Sequence, residues 1–117
     1  MTHVLVVDDD RTTTRLLAML LELEGFQVSQ TPQAEAVLEM GRKKNVDAFV
    51  IDCNLGEVSG VDLLRHIRAD ADLADKRVIM TSGLDLSHEA MGAGADLFLL
   101  KPFSPTELSE KLGALLE

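Results

Sequence analysis

Four short apolar runs in this chain each end in a polar residue of a different kind, and those residue types belong together chemically. Val4-Leu5-Val6-Val7 runs into Asp8-Asp9, Phe49-Val50-Ile51 into Asp52, Val78-Ile79-Met80 into Thr81-Ser82, and Leu97-Phe98-Leu99-Leu100 into Lys101-Pro102. Carboxylates gathered in a small site repel one another and hold protons unless a cation neutralises them. Magnesium suits such a site, because it takes octahedral oxygen ligands, keeps several waters and uses one or two carboxylates alongside phosphate oxygens. Asp52, alone at the mouth of its run, suits either the entry to a turn or a nucleophile toward a phosphoryl donor. Lys101 offers a point-like positive charge and Ser82 a hydroxyl that can donate to a phosphoryl oxygen. Taken singly, Asp8-Asp9 could also serve only as a helix N-cap. The common address of all these residues favours the reaction site.

The elements that must position them alternate along the chain. Short runs rich in Val, Ile, Leu and Phe fit strands buried on both faces of a parallel sheet, and ligands of open α/β sheets bind just beyond the carboxyl ends of such strands. Between Arg11 and Glu24, Leu16, Leu20 and Leu23 recur at helical spacing with Leu17 and Leu21 beside them, Asp10 or Thr12 as cap and Gly25 as the stop. Phe26-Gln27-Val28-Ser29 alternates like an edge strand, and Thr31-Pro32 reads as an N-cap followed by proline in the first helical position. Ala34, Val37, Leu38 and Met40 form the buried stripe of that second helix, which Gly41 is expected to end. A loop with Gly56 and Gly60 precedes a third helix carrying Leu63, Leu64 and Ile67, with Arg65, Arg68 and Asp70 toward solvent. A short helix near Ser87–Met91 follows the fourth strand. Ser104-Pro105-Thr106-Glu107 is a capping box that opens a last helix with Leu108, Leu112 and Leu115 on one face. Five strands alternating with five helices, joined by right-handed crossovers, require helices on both faces of a parallel sheet.

Composition narrows the class. At 117 residues the chain, 1–117, is expected to form one domain with a substantial core. Eleven basic against twenty acidic residues give a net charge of −9, which disfavours direct binding to a phosphate backbone. Although 46% of residues are hydrophobic, no unbroken stretch is long enough for a bilayer span, and Met1-Thr2-His3 lacks the basic flank of a signal peptide. The single cysteine, Cys53, fits a reducing, cytoplasmic setting and is expected to be a small buried hydrophobe rather than a redox sensor. His3, His66 and His88 show no paired ligand spacing.

The motifs Val-Val-Asp8-Asp9-Asp10, Val-Ile-Asp52, Val-Ile-Met-Thr-Ser82-Gly83 and Gly-Ala-Asp-Leu-Phe98-Leu-Leu-Lys101-Pro102-Phe103 resemble those of response-regulator receiver domains in two-component signalling, over essentially the whole chain. The resemblance implies a doubly wound (βα)5 flavodoxin-like fold, an α/β sheet of five parallel strands in the order 2-1-3-4-5. It implies Asp52 as phosphoacceptor, Asp9 as a direct Mg2+ ligand, Asp8 as a contributor through water, and the backbone carbonyl of Asn54 completing the protein's ligands. Lys101 would contact the phosphoryl group, with a cis bond to Pro102. Ser82 would be the switch hydroxyl, with Thr81 its neighbour, and Phe98 the aromatic ring that follows it inward, changing the surface of the fourth helix, fifth strand and fifth helix. The implied partners are a sensor histidine kinase or histidine phosphotransfer protein and a downstream effector, with a homodimer through the output face as an open alternative. The chain would assist its own phosphorylation and dephosphorylation without turning over an external substrate. Gly56 stands where this family very often has proline and Gly83 where alanine is common, so both are expected to loosen loops beside the site.

Two other classes compete. Asp8-x-Asp10-x-Thr12 after an apolar strand resembles the nucleophile motif of haloacid-dehalogenase-type phosphohydrolases, with Ser82 and Lys101 as later elements, but that reading leaves Asp52 without a role. A receiver-like interaction module that is never phosphorylated would be expected to lack one of the key residues, and none is missing.

Overall fold

The computed structural model describes all 117 residues. Five strands, β1 (His3–Val7), β2 (Gln27–Thr31), β3 (Ala48–Asp52), β4 (Arg77–Ser82) and β5 (Leu97–Leu100), pair in parallel in the order β2-β1-β3-β4-β5. The helices are α1 (Arg11–Leu23), α2 (Val37–Lys43), α3 (Gly60–Ala69), α4 (Ser87–Gly92) and α5 (Pro105–Leu116). A 3-10 turn at Ala34–Ala36 leads into α2, and Asn54–Leu55 and Val58–Ser59 form a small antiparallel hairpin between β3 and α3. The doubly wound fold expected from the sequence is the fold observed.

The alternation of strand side chains builds two cores. Leu5, Val7, Phe49, Ile51, Val78 and Met80 point to one face, where Val37 of α2, Leu63, Leu64 and Ile67 of α3 and Ala90 of α4 cover them. Val4, Val6, Ala48, Val50, Ile79 and Leu99 point to the other, under Leu17 and Leu21 of α1 and Leu108 and Leu112 of α5. This is the period-two division of a sheet whose faces are both dry. The chain turns left from β1 to β2 and right from β1 to β3, so the crevice where helices part lies at the carboxyl ends of β1 and β3. Below that rim the two faces are packed almost wholly by apolar side chains, with His3 and Thr14 the buried polar exceptions.

Several local expectations need correction. The buried face of α1 is Thr14, Leu17, Ala18 and Leu21, whereas Leu16 and Leu23 are 54% and 82% exposed. Leucines cover a broad arc of this helix, so spacing alone could not choose which edge of that arc meets α5 and the sheet. Thr31 is not a helix cap: it pairs with Val7 as the last residue of β2, its hydroxyl accepts from the Gln33 amide, and helical structure begins only at Ala34. Gly41 does not end α2. It is buried within it, where a Cβ would come 2.9 Å from the Phe49 ring, and the turn follows at Asn45 with φ 51°. Asp10 does cap α1, accepting from the Thr13 amide, and Ser104 caps α5 by accepting from the Glu107 amide at 3.0 Å. Gly56 has φ +68° at the first position of the two-residue hairpin loop, a conformation closed to proline, so it fixes a turn rather than loosening one.

Arg68 and Asp70 are not solvent-facing. Asp70 pairs with Arg42 of α2. Arg68 donates to the carbonyls of Gly94 at 2.8 Å, Ala74 at 3.0 Å and Lys76 at 2.6 Å, and to Asp96 at 3.0 Å. One guanidinium thus ties α3 to the approaches of both β4 and β5, a fit that depends on its planar fork of donors. Arg68→Ala is expected to lower unfolding free energy by about 2 kcal/mol, since several charge-assisted bonds are lost while their exposed acceptors regain water. Urea denaturation checks this, and Arg68→Lys should recover less than half of the loss.

Candidate functional site

The acidic cluster forms because two central strands end at the same level. β1 delivers Asp8 and Asp9, and β3, its neighbour, delivers Asp52. One carboxylate oxygen from each lies within 4.8 Å of the others. Asp8 and Asp52 are buried and Asp9 is exposed, so the cluster opens to solvent on the Asp9 side. Strand alternation would separate Asp8 from Asp9, but it relaxes just beyond Val7, where the backbone leaves the sheet. The Asp10 amide donates to Asp8 Oδ1 at 2.9 Å, and the Asn54 amide donates to Asp52 Oδ1 at 2.9 Å. Each buried carboxylate is therefore oriented by the amide two residues ahead of it, an Asx turn that leaves the other oxygen aimed at the crevice.

Lys101 fills that second position on both. Its Nζ donates at 2.9 Å to Asp8 Oδ2 and at 2.9 Å to Asp52 Oδ2. Burial opposes the lysine's charge, but the hydrogen bonds to Asp8 and Asp52 and their negative charges outweigh it, holding the ammonium above its usual value of 10.5. One ammonium among three carboxylates leaves the cluster short of positive charge, and its oxygens are hard donors. A magnesium ion would fit that donor set, and Asp8, Asp9 and Asp52 are the side chains that could hold it.

Ser82 ends β4 at 0% exposure, with its carbonyl accepting the Lys101 amide at 2.8 Å. Its Oγ accepts the Leu84 amide at 3.1 Å and makes no bond to Asp52 or Lys101. Phe98, opposite Met80 on β5, is half-buried and packs against the core under α2, α3 and α4. Thr81 is buried beside Asp52 in the register of β3 and β4. Asn54 is exposed at the start of the hairpin, with its amide already committed to Asp52. The peptide bond between Lys101 and Pro102 is cis, as expected. Asp10 stands apart: both its oxygens accept from Thr13, bonds that hold its carboxyl below the usual range, and neither reaches the cluster. The phosphohydrolase reading needs Asp10 and Thr12 at the reacting centre, and both face solvent.

One positional requirement went unread in the sequence. Gly60, the first residue of α3, runs so close to β3 that a Cβ would lie 2.0 Å from the Asp52 carbonyl oxygen, while its amide donates to the Cys53 carbonyl at 2.7 Å. Only glycine permits this approach, which pins α3 under Asp52. The signal was the glycine immediately before Val61-Asp62-Leu63-Leu64.

The sequence profile of the family described as response regulator receiver domain matches residues 4–113. Chemotaxis protein CheY-3 of Vibrio cholerae serotype O1 is 35% identical over 118 residues, covering 97% of this chain and 91% of that protein. The cell cycle transcriptional regulator CtrA of Caulobacter vibrioides is 31% identical over 114 residues, covering 96% of this chain and 49% of that protein. The chain thus spans about half the length of several curated relatives it matches. The crystal structure of a CheY-like response regulator receiver domain protein from Methanospirillum hungatei superposes with a TM-score of 0.91 at 28% identity, covering 99% of this chain and 94% of that one.

Cys53 lies between Asp52 and Asn54 yet is buried away from the cluster. Burial, then the nearby charges of Asp52 and Glu89, push its thiol from 9.0 up to about 11. The folded protein therefore keeps this proton longer than the unfolded chain does. The stability tied to it is full below pH 9.0 and is lost as pH rises through about 11. Iodoacetamide at pH 8 is expected to leave native Cys53 unmodified over a time that fully alkylates the urea-unfolded chain. Equal rates in the two states would contradict this placement.

Proposed function

This chain belongs to the response-regulator receiver family, and from that premise we propose that it is a phosphorylation-controlled signalling switch charged on Asp52 by a histidine kinase or histidine phosphotransfer protein. The observation that carries the reading is the contact of Lys101 with both Asp8 and Asp52 at the mouth of the sheet. A carboxylate oriented by the Asn54 amide, with its other oxygen on the Lys101 ammonium at the mouth of the sheet, is set up to attack an electrophilic phosphorus. One Asp52 oxygen forms the new P–O bond while the P–N bond to the donor imidazole breaks, and the departing imidazole takes up a proton. Magnesium, when bound, supplies positive charge that reduces the repulsion between two anions. Lys101 leaves Asp52 Oδ2 and follows the negative charge onto a phosphoryl oxygen. Attack of water on phosphorus breaks the same P–O bond and restores the carboxylate.

Ser82 connects this chemistry to the surface. Its Oγ accepts from the Leu84 amide while its hydroxyl hydrogen is uncommitted, and turning the side chain toward Asp52 to donate to a phosphoryl oxygen would draw Oγ away from Leu84. The segment after Gly83 is then released from β4, and half-buried Phe98 lies on the neighbouring strand to repack toward the space that opens. Since phenylalanine carries no hydrogen-bonding group, its two positions differ by packing alone. The α4, β5 and α5 surface, with Met91 and Leu100 about half exposed, is where a downstream effector would read the change. The exposed Leu16, Met19 and Leu23 of α1 offer apolar contact to a phosphodonor protein.

Intact mass and peptide mapping after incubation with magnesium and acetyl phosphate test the assignment. A phosphoryl adduct on Asp52, absent from Asp52→Asn and from samples lacking magnesium, is expected. Ser82→Ala should still accept the group but lose roughly tenfold in rate, the effect of one hydrogen bond in a crowded anionic site. An adduct on Asp8 that turns over would restore the phosphohydrolase reading, and no adduct on folded protein would favour the unphosphorylated interaction module.

A further inference from the structure

We propose that the groove between α2 and α3 docks a peptide segment with an apolar centre flanked by lysines or arginines. It lies apart from the acceptor cluster and has no part in the chemistry above. Its volume is 580 Å³, within the range of ligand-binding clefts. The apolar part is formed by Ala34 and Leu38 on one side and Val58 and Leu63 on the other, with Val58 44% exposed. Glu35 stands on the α2 side and Glu57 and Asp62 on the α3 side, and no lysine or arginine lines the groove.

Those carboxylates decide the occupant. Asp62 is shared with Arg65 at 2.6 Å, but Glu35 and Glu57 form no ion pair anywhere in the chain. A segment crossing the groove meets negative charge on both sides and aliphatic surface between, which is the complement of a basic–apolar–basic sequence. A bare cation would leave the aliphatic surface uncovered. The second wall is also preformed, since the hairpin pairs Asn54 with Ser59 and Leu55 with Val58, and Ser59 Oγ caps α3 by accepting the Asp62 amide at 3.3 Å. A wall already ordered spares the entropy of ordering it on binding.

The test is a titration of the full chain with the acetylated hexapeptide Lys-Arg-Leu-Phe-Lys-Arg, followed by amide proton and nitrogen shifts. Saturable shifts are expected at Leu38, Val58 and Leu63, with none from the peptide in which every basic residue is glutamate. Glu35→Lys combined with Glu57→Lys reverses two exposed charges and should weaken binding roughly tenfold while leaving the rest of the spectrum in place. Unsaturable shifts spread over the acidic surface, shifts confined to Asp8 and Asp9, or unchanged affinity in the double variant would overturn the assignment. Shifts at the same residues on diluting the protein alone would replace the peptide by a second copy of the chain.

Discussion

The contact on which the rest of this molecule depends is Lys101 Nζ shared between Asp8 and Asp52, joining residues 93 and 49 positions apart in the chain. A parallel sheet brings all its strand ends to one side, so carboxylates that end neighbouring strands meet there whether or not they attract. Removing the lysine would leave buried like charges facing one another, a situation that proteins resolve by protonation or by losing structure. With it present, β1, β3 and β5 are held together at the rim by charge, and below the rim by apolar packing on both faces.

That economy explains why the polar groups near the cluster have single, specific jobs. Asn54 and Asp10 orient the two buried carboxylates through their amides, and Gly60 lets α3 start directly beneath Asp52. Ser82 keeps its acceptor side for Leu84 and leaves its proton unassigned. No side-chain polar atom is buried without a partner. A phosphoryl group arriving at Asp52 would compete for Lys101 and give the unassigned Ser82 proton an acceptor, so one local event would reach two strands and the loop after Gly83. In the proposed switch the two states would differ in the acceptors used by Lys101 and Ser82, biased by one added charge.

The architecture and the cluster were legible because each apolar run was short and ended in its functional residue, so the strand pattern and the chemistry shared a boundary. What was not legible depended on neighbours distant in sequence. The broad leucine arc of α1 gave no preference between Leu16 and Leu17 until α5 and the sheet were in place. Thr31-Pro32 carries a good helix-start signal, yet pairing with Val7 extends β2 through Thr31 and delays the helix. Gly41 looks like a stop and is a contact with Phe49, and Arg68 looks like a surface residue and is a clasp across three segments. Gly56, expected to loosen its loop, instead makes a defined two-residue hairpin turn at φ +68°.

In the proposed mechanism the Lys101 ammonium passes from the carboxylates to the phosphoryl group. Nitrogen-detected NMR of the lysine side chains, before and after phosphorylation with acetyl phosphate and magnesium, measures this directly. Before treatment, one slowly exchanging ammonium should show contacts to the Asp8 and Asp52 side chains and lose its protection in Asp52→Asn. After treatment, the same resonance should gain coupling to phosphorus and lose its contact with Asp52. A Lys101 ammonium that exchanges like a free surface lysine, or one that stays on both carboxylates in the phosphorylated protein, would contradict the account.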